Sequence, residues 1–112
     1  MNMNTDLSYQ ACIEACQACA VACAHCASSC LKEDDVKMMA DCIATDLDCA
    51  ELCHLAVSYM ARDAAKVREV CRLCAEVCDA CGAECGKHEH QHCQECAEAC
   101  RRCAEACREV AA

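Results

Sequence analysis

Residues 11–30 read ACIEACQACAVACAHCASSC. The six cysteines of this stretch, Cys12, Cys16, Cys19, Cys23, Cys26 and Cys30, are separated by steps of 4, 3, 4, 3 and 4. Alternating steps of three and four hold side chains on one face of a helix, whereas a strand repeats every two residues. Working outward, the rhythm returns in Cys71, Cys74, Cys78, Cys81 and Cys85, and again in Cys93, Cys96, Cys100, Cys103 and Cys107. A thinner run, Cys42, Cys49 and Cys53, keeps the same phase, and Met39, Asp46, Ala56 and Met60 fill its gaps. These are the a and d positions of heptads, the inward seam of a helical bundle.

Polar breaks part the four seams. LKEDD at 31–35 is a turn in which Asp34 or Asp35 can cap the next helix. MARD at 60–63 offers Asp63 as an N-cap, and GKHEHQ at 86–91 opens with a glycine suited to a helix end. The expected helices are at about 6–31, 35–60, 63–86 and 89–110. Short links make neighbours antiparallel, so the expected fold is all-α: an up-down-up-down four-helix bundle, one domain over 1–112.

Composition says what fills it. Of 112 residues, 19 are Cys and 23 Ala, with no Pro, Phe or Trp. Leu, Ile and Val together number 15, too few for an aliphatic core. Cysteine is therefore the core. An odd cysteine count excludes complete intramolecular pairing, and two glycines with no proline cannot make the turns of a disulfide scaffold. The net charge of −9, with no basic face, argues against a nucleic-acid partner. No apolar run is expected to reach the roughly 18 residues of a membrane span. The start, MNMNTD, does not read as a signal peptide, which favours the cytoplasm and reduced thiols.

Thiolates are soft ligands that select Cu(I), zinc or iron–sulfur clusters. Eight i, i+4 cysteine pairs, such as Cys12/Cys16 and Cys103/Cys107, set Cβ atoms about 5–6 Å apart, so that two sulfurs can flank one ion. Nineteen buried thiolates need compensating charge. Monovalent Cu(I) at roughly one per thiolate brings the interior near neutrality, whereas stacked tetrathiolate zinc sites of charge about −2 would repel one another. Zinc or mixed-metal sequestration and a cysteine-based redox buffer remain alternatives, and no nucleophile with a paired base suggests an enzyme.

Repeated CxxxCxxC seams on successive helices resemble the cytosolic copper storage proteins, the Csp family of cysteine-lined four-helix bundles, over about residues 6–110. The resemblance implies multiple Cu(I) ions per chain bound by all 19 cysteines, a homotetramer, and a role in copper storage or detoxification. It also implies a cytoplasmic member, since exported relatives carry a leader, and a copper chaperone is a candidate partner.

Antiparallel packing gathers Met39, Cys30, Cys85, Cys93 and the loop residues His88, His90 and His92 at one end of the bundle. Tyr9, Met60, Val67 and Val110 collect at the other. Copper is expected to enter at the first. His88 continues the third seam in phase and is the preferred non-cysteine ligand, followed by His90, His92 and Met39. Met38 is expected to face outward and His25 and His54 to lie on the surface. Asp46, inside the seam, is expected to bond a hydroxyl, an amide or water, with Thr45 beside it.

Overall fold

In the computed structural model the backbone is described from Met3 and the side chains from Tyr9 onward. Four α-helices follow one another: α1 (Met3–Cys30), α2 (Ala40–Ala61), α3 (Val67–Cys85) and α4 (Gln91–Ala111), and no strand occurs among the described residues. α1 packs on α2 and α4, and α3 packs on the same two, closing a four-sided bundle 51 × 21 × 17 Å in extent. Alanine and cysteine make it narrow: small side chains let the helices approach closely. Gly82 marks a close approach of α3 to α4, where a Cβ would lie 3.3 Å from Cys100 Cβ.

The helix ends depart from the expected positions. α1 starts at Met3, three residues early. Ahead of α2 runs a 3-10 turn, Val36–Met39, so the α-helix proper begins at Ala40 rather than near 35. Asp35 makes no side-chain cap; its carboxylate faces His90 Nε2 at 3.5 Å. Asp63 caps nothing either. It adopts a left-handed φ of 50° just past α2, and its Oδ1 accepts the Tyr9 hydroxyl at 3.0 Å. That turn delays α3 to Val67, four residues beyond the expected start. Gly86 does end α3, in a right-handed conformation with φ −63°.

All 19 cysteines are buried, Cys12 retaining 3% exposure and the rest none. Met39 and Met60 are fully buried within the same core, while Met38 is 72% exposed. Tyr9–Cys30 corrects the membrane expectation: these 22 residues, of mean hydropathy 1.3, are long and apolar enough to cross a bilayer. Cysteine and alanine count as apolar on such scales, and the cysteine face of this helix is turned to the bundle interior.

Candidate metal centre

The four seams bring their sulfurs into one column. Contacts within a helix exist, as between Cys19 and Cys23 (3.9 Å), Cys26 and Cys30 (3.8 Å), Cys74 and Cys78 (3.9 Å) and Cys81 and Cys85 (3.9 Å). The closest ones run between helices. Cys42 Sγ lies 3.2 Å from Cys85 Sγ, Cys49 3.4 Å from Cys78, Cys103 3.5 Å from Cys16, and Cys96 3.6 Å from Cys23. Spacing along one helix predicts pairs; the fold makes tetrads.

Cys26, Cys30, Cys42 and Cys93 form one tetrad, Cys16, Cys74, Cys103 and Cys107 another, each with all sulfurs within 4.8 Å of one another. In the middle the tetrads overlap. Cys19 and Cys49 belong both to the set with Cys23 and Cys100 and to the set with Cys53 and Cys78, while Cys23 and Cys100 recur with Cys81 and Cys96. Cys12 meets Cys107 at 3.6 Å, and Cys71 is buried on α3 in the same core.

Asp46 stands inside the column, with no exposed surface. Its protein partners are thiols rather than the hydroxyl or amide expected. Cys81, Cys85 and Cys96 donate to Oδ1 at 3.3, 3.2 and 3.2 Å, and Cys42 approaches Oδ2 at 4.0 Å. Thr45 turns away and donates to the carbonyls of Asp41 and Cys42. Burial pushes the Asp46 carboxyl up to about 9, so it is neutral at physiological pH. Burial also raises the thiols of Cys30, Cys42 and Cys93, which must shed protons to bind a metal.

The loop histidines are not equivalent. His92 Nδ1 lies 3.5 Å from Cys93 Sγ, 3.6 Å from Cys26 Sγ and 3.9 Å from Cys30 Sγ. It therefore adds an imidazole nitrogen to the outermost tetrad. Its Nε2 bonds Glu33 Oε2 at 2.8 Å. Desolvation, the largest single effect, favours neutral His92, but the bonds to Cys26 and Glu33 together raise its pKa. His88 is directed elsewhere: α3 stops at Cys85, the seam phase is lost, and His88 Nε2 meets Glu84 Oε2 at 3.0 Å. His90 lies between Glu33 and Asp35 and stacks on His92, ring centroids 5.4 Å apart. His25 and His54 are exposed.

A continuous column of buried thiols, closed by helices and topped by one imidazole, defines a bundle whose interior is a soft-metal binding surface rather than a packing core. The comparisons agree. The sequence model of the copper storage protein (Csp) family matches residues 5–112, and the chain belongs to that family. A cysteine-rich protein of Bacillus subtilis (strain 168), YhjQ, is 52% identical over 88 residues, covering 79% of this chain and 82% of that one. The Cu(I)-bound copper storage protein BsCsp3 of Bacillus subtilis superposes with a TM-score of 0.89 at 52% identity, over 92% of this chain and 97% of its own. A cytosolic copper storage protein from Streptomyces lividans carrying five coppers gives 0.92 at 41% identity, over 98% and 97%.

Proposed function

We propose that this protein stores Cu(I), many ions per chain, on the 19 cysteines of the column, with His92 completing the outermost tetrad and Asp46 serving the middle one. The observation that carries this reading is the sharing of sulfurs. Cys19, Cys23, Cys49 and Cys100 each belong to two tetrads, so one sulfur lies within reach of two neighbouring ions. Sulfurs that bridge neighbouring ions suit Cu(I), which is content with two or three ligands and adds one positive charge per thiolate. Isolated tetrahedral zinc sites would occupy at most four separate tetrads, leave Cys12, Cys71 and Cys85 unused, and stack charges of about −2 along a dry column.

The storage role of the family supports a protein without catalysis, and the cytosolic Streptomyces relative supports a cytoplasmic place. Self-association is supported by large apolar side chains left outside the column, Val21 (70% exposed), Leu47 (53%), Leu73 (49%) and Leu55 (43%), and the family resemblance suggests a homotetramer. Copper enters at the end formed by the outermost tetrad, His92 and buried Met39, supplied by a chaperone. At the far end Met60 and Val67 are buried and Tyr9 bonds Asp63, so among the described residues no imidazole or exposed thioether stands beside Cys12.

Anaerobic titration of the reduced protein with Cu(I), followed by metal counting, tests the reading. Saturation at roughly one ion per cysteine is expected from charge balance. Saturation at about four or five ions, the count for tetrathiolate sites, would overturn it.

A further inference from the structure

We infer that Glu33, His90 and His92 form a second metal site, outside the thiol column, for a borderline divalent transition ion. Glu33 Oε2 lies 2.8 Å from His92 Nε2 and 3.4 Å from His90 Nδ1, so one carboxylate oxygen already sits between two imidazole nitrogens. The rings are stacked and parallel within 5°, so the two imidazoles lie side by side along that carboxylate. All three side chains are half-buried or better, at 28%, 33% and 13% exposure for Glu33, His90 and His92.

The surroundings complete the arrangement. Asp35 Oδ1 lies 3.5 Å from His90 Nε2. A carboxylate on the far nitrogen of a histidine fixes its tautomer and leaves the near nitrogen free to ligate. Glu33 is held by its own turn, where its N–H donates to the Cys30 carbonyl, and His90 by the start of α4, where its carbonyl accepts from Cys93 and Gln94. Two imidazoles and one carboxylate are a ligand set for Fe(II), Co(II), Zn(II) and their neighbours, not for Cu(I), which prefers sulfur. Charge agrees: Glu33 and Asp35 together balance a dication. The positive pole of α4 opposes a cation here, and these two carboxylates, with Asp34 next in sequence, offset it.

The site is coupled to the column through one ring. His92 offers Nδ1 to the sulfurs and Nε2 to Glu33. A neutral imidazole has a single lone pair. A divalent ion on Nε2 puts the proton on Nδ1 and withdraws His92 from copper, so the outer ion opposes copper uptake.

Cobalt(II) is the probe, added to the reduced, metal-free full chain without oxygen. The first equivalent is expected to give d–d absorption with no sulfur-to-cobalt charge-transfer bands. Nitrogen and oxygen donors at the surface are ready to bind, whereas the thiols must lose protons inside a dry column. Glu33→Gln and His90→Ala should weaken that equivalent by roughly 100-fold, and Asp35→Asn, which removes only the supporting contact, by about tenfold. Cobalt should slow Cu(I) uptake by the unsubstituted protein and not by Glu33→Gln. Copper capacity and far-UV circular dichroism, measured on the same samples, keep the storage reading and folding separate from this one. Charge-transfer bands from the first equivalent, or equal cobalt affinity in Glu33→Gln and His90→Ala, would overturn the inference.

Discussion

Replacing Asp46 by asparagine should change how the metal-free protein's stability depends on pH. The carboxyl is fully buried, accepts three thiols on Oδ1, and has its pKa raised from 3.8 to about 9, chiefly by desolvation. The folded state therefore holds a proton that the unfolded chain gives up near pH 4. The proton's contribution is complete below the unfolded pKa and is lost as pH rises toward the folded one. Between these limits each pH unit costs about 1.4 kcal/mol of stability, so the step from pH 5 to pH 8 costs up to about 4 kcal/mol. Asparagine keeps an oxygen for Cys81, Cys85 and Cys96 but cannot ionise. Urea unfolding in reductant across pH 5–8 should show Asp46→Asn gaining on the parent as pH rises, by up to that ~4 kcal/mol at pH 8. Thiol ionisation in the unfolded chain is common to both proteins and cancels. Parallel stability curves would refute the reasoning and place water or an unshifted carboxylate at this position.

Other residues make sharper or simpler tests. His92→Ala should slow Cu(I) loading and its removal by a chelator while total capacity barely falls, and His88→Ala, bound to Glu84, should leave both rates unchanged; equal effects would refute the distinction between them. Gly82→Ala should be nearly neutral, its helix propensity gain of about 1 kcal/mol set against the 3.3 Å approach to Cys100 Cβ, whereas Gly82→Val should lower the urea midpoint by an amount worth about 1–3 kcal/mol. Leu47→Glu with Leu55→Glu should reduce the mass seen by light scattering from an oligomer to a monomer; an unsubstituted protein already monomeric at micromolar concentration would remove the basis for an interface.

The four seams and the inward choice of Met39 over Met38 were legible because helical phase is a one-dimensional property. Cys42 illustrates what phase cannot supply. Its nearest sulfur belongs to Cys85, 43 residues away and on another helix, a pairing set by the relative height of α2 and α3. That height depends on the turns, whose conformation the residue types alone do not fix. Asp63 looked like a cap but takes a left-handed conformation, and Asp35 spends its carboxylate on His90. The preference for His88 assumed that α3 continued past Gly86, and it does not. The sequence places His92 among the loop histidines at this end but does not rank it first, since its approach to Cys26 and Cys30 comes from α4 lying beside α1. Asp46 was visible as an anomaly, but thiols are rare enough as carboxylate donors that its partners were assigned to commoner groups.

The long axis of 51 Å is more than twice either cross-section, and Met60, Val67 and the Tyr9–Asp63 bond crowd the end away from His92. A tube this narrow has no room for ions to pass one another. With entry at the His92 end, the copper that arrives first lies deepest, and withdrawal runs in reverse order of deposit. Chains filled partly with one copper isotope and topped up with another should surrender the second isotope first to a chelator. In a cell, such a store would release its most recent intake while its oldest copper stayed out of circulation.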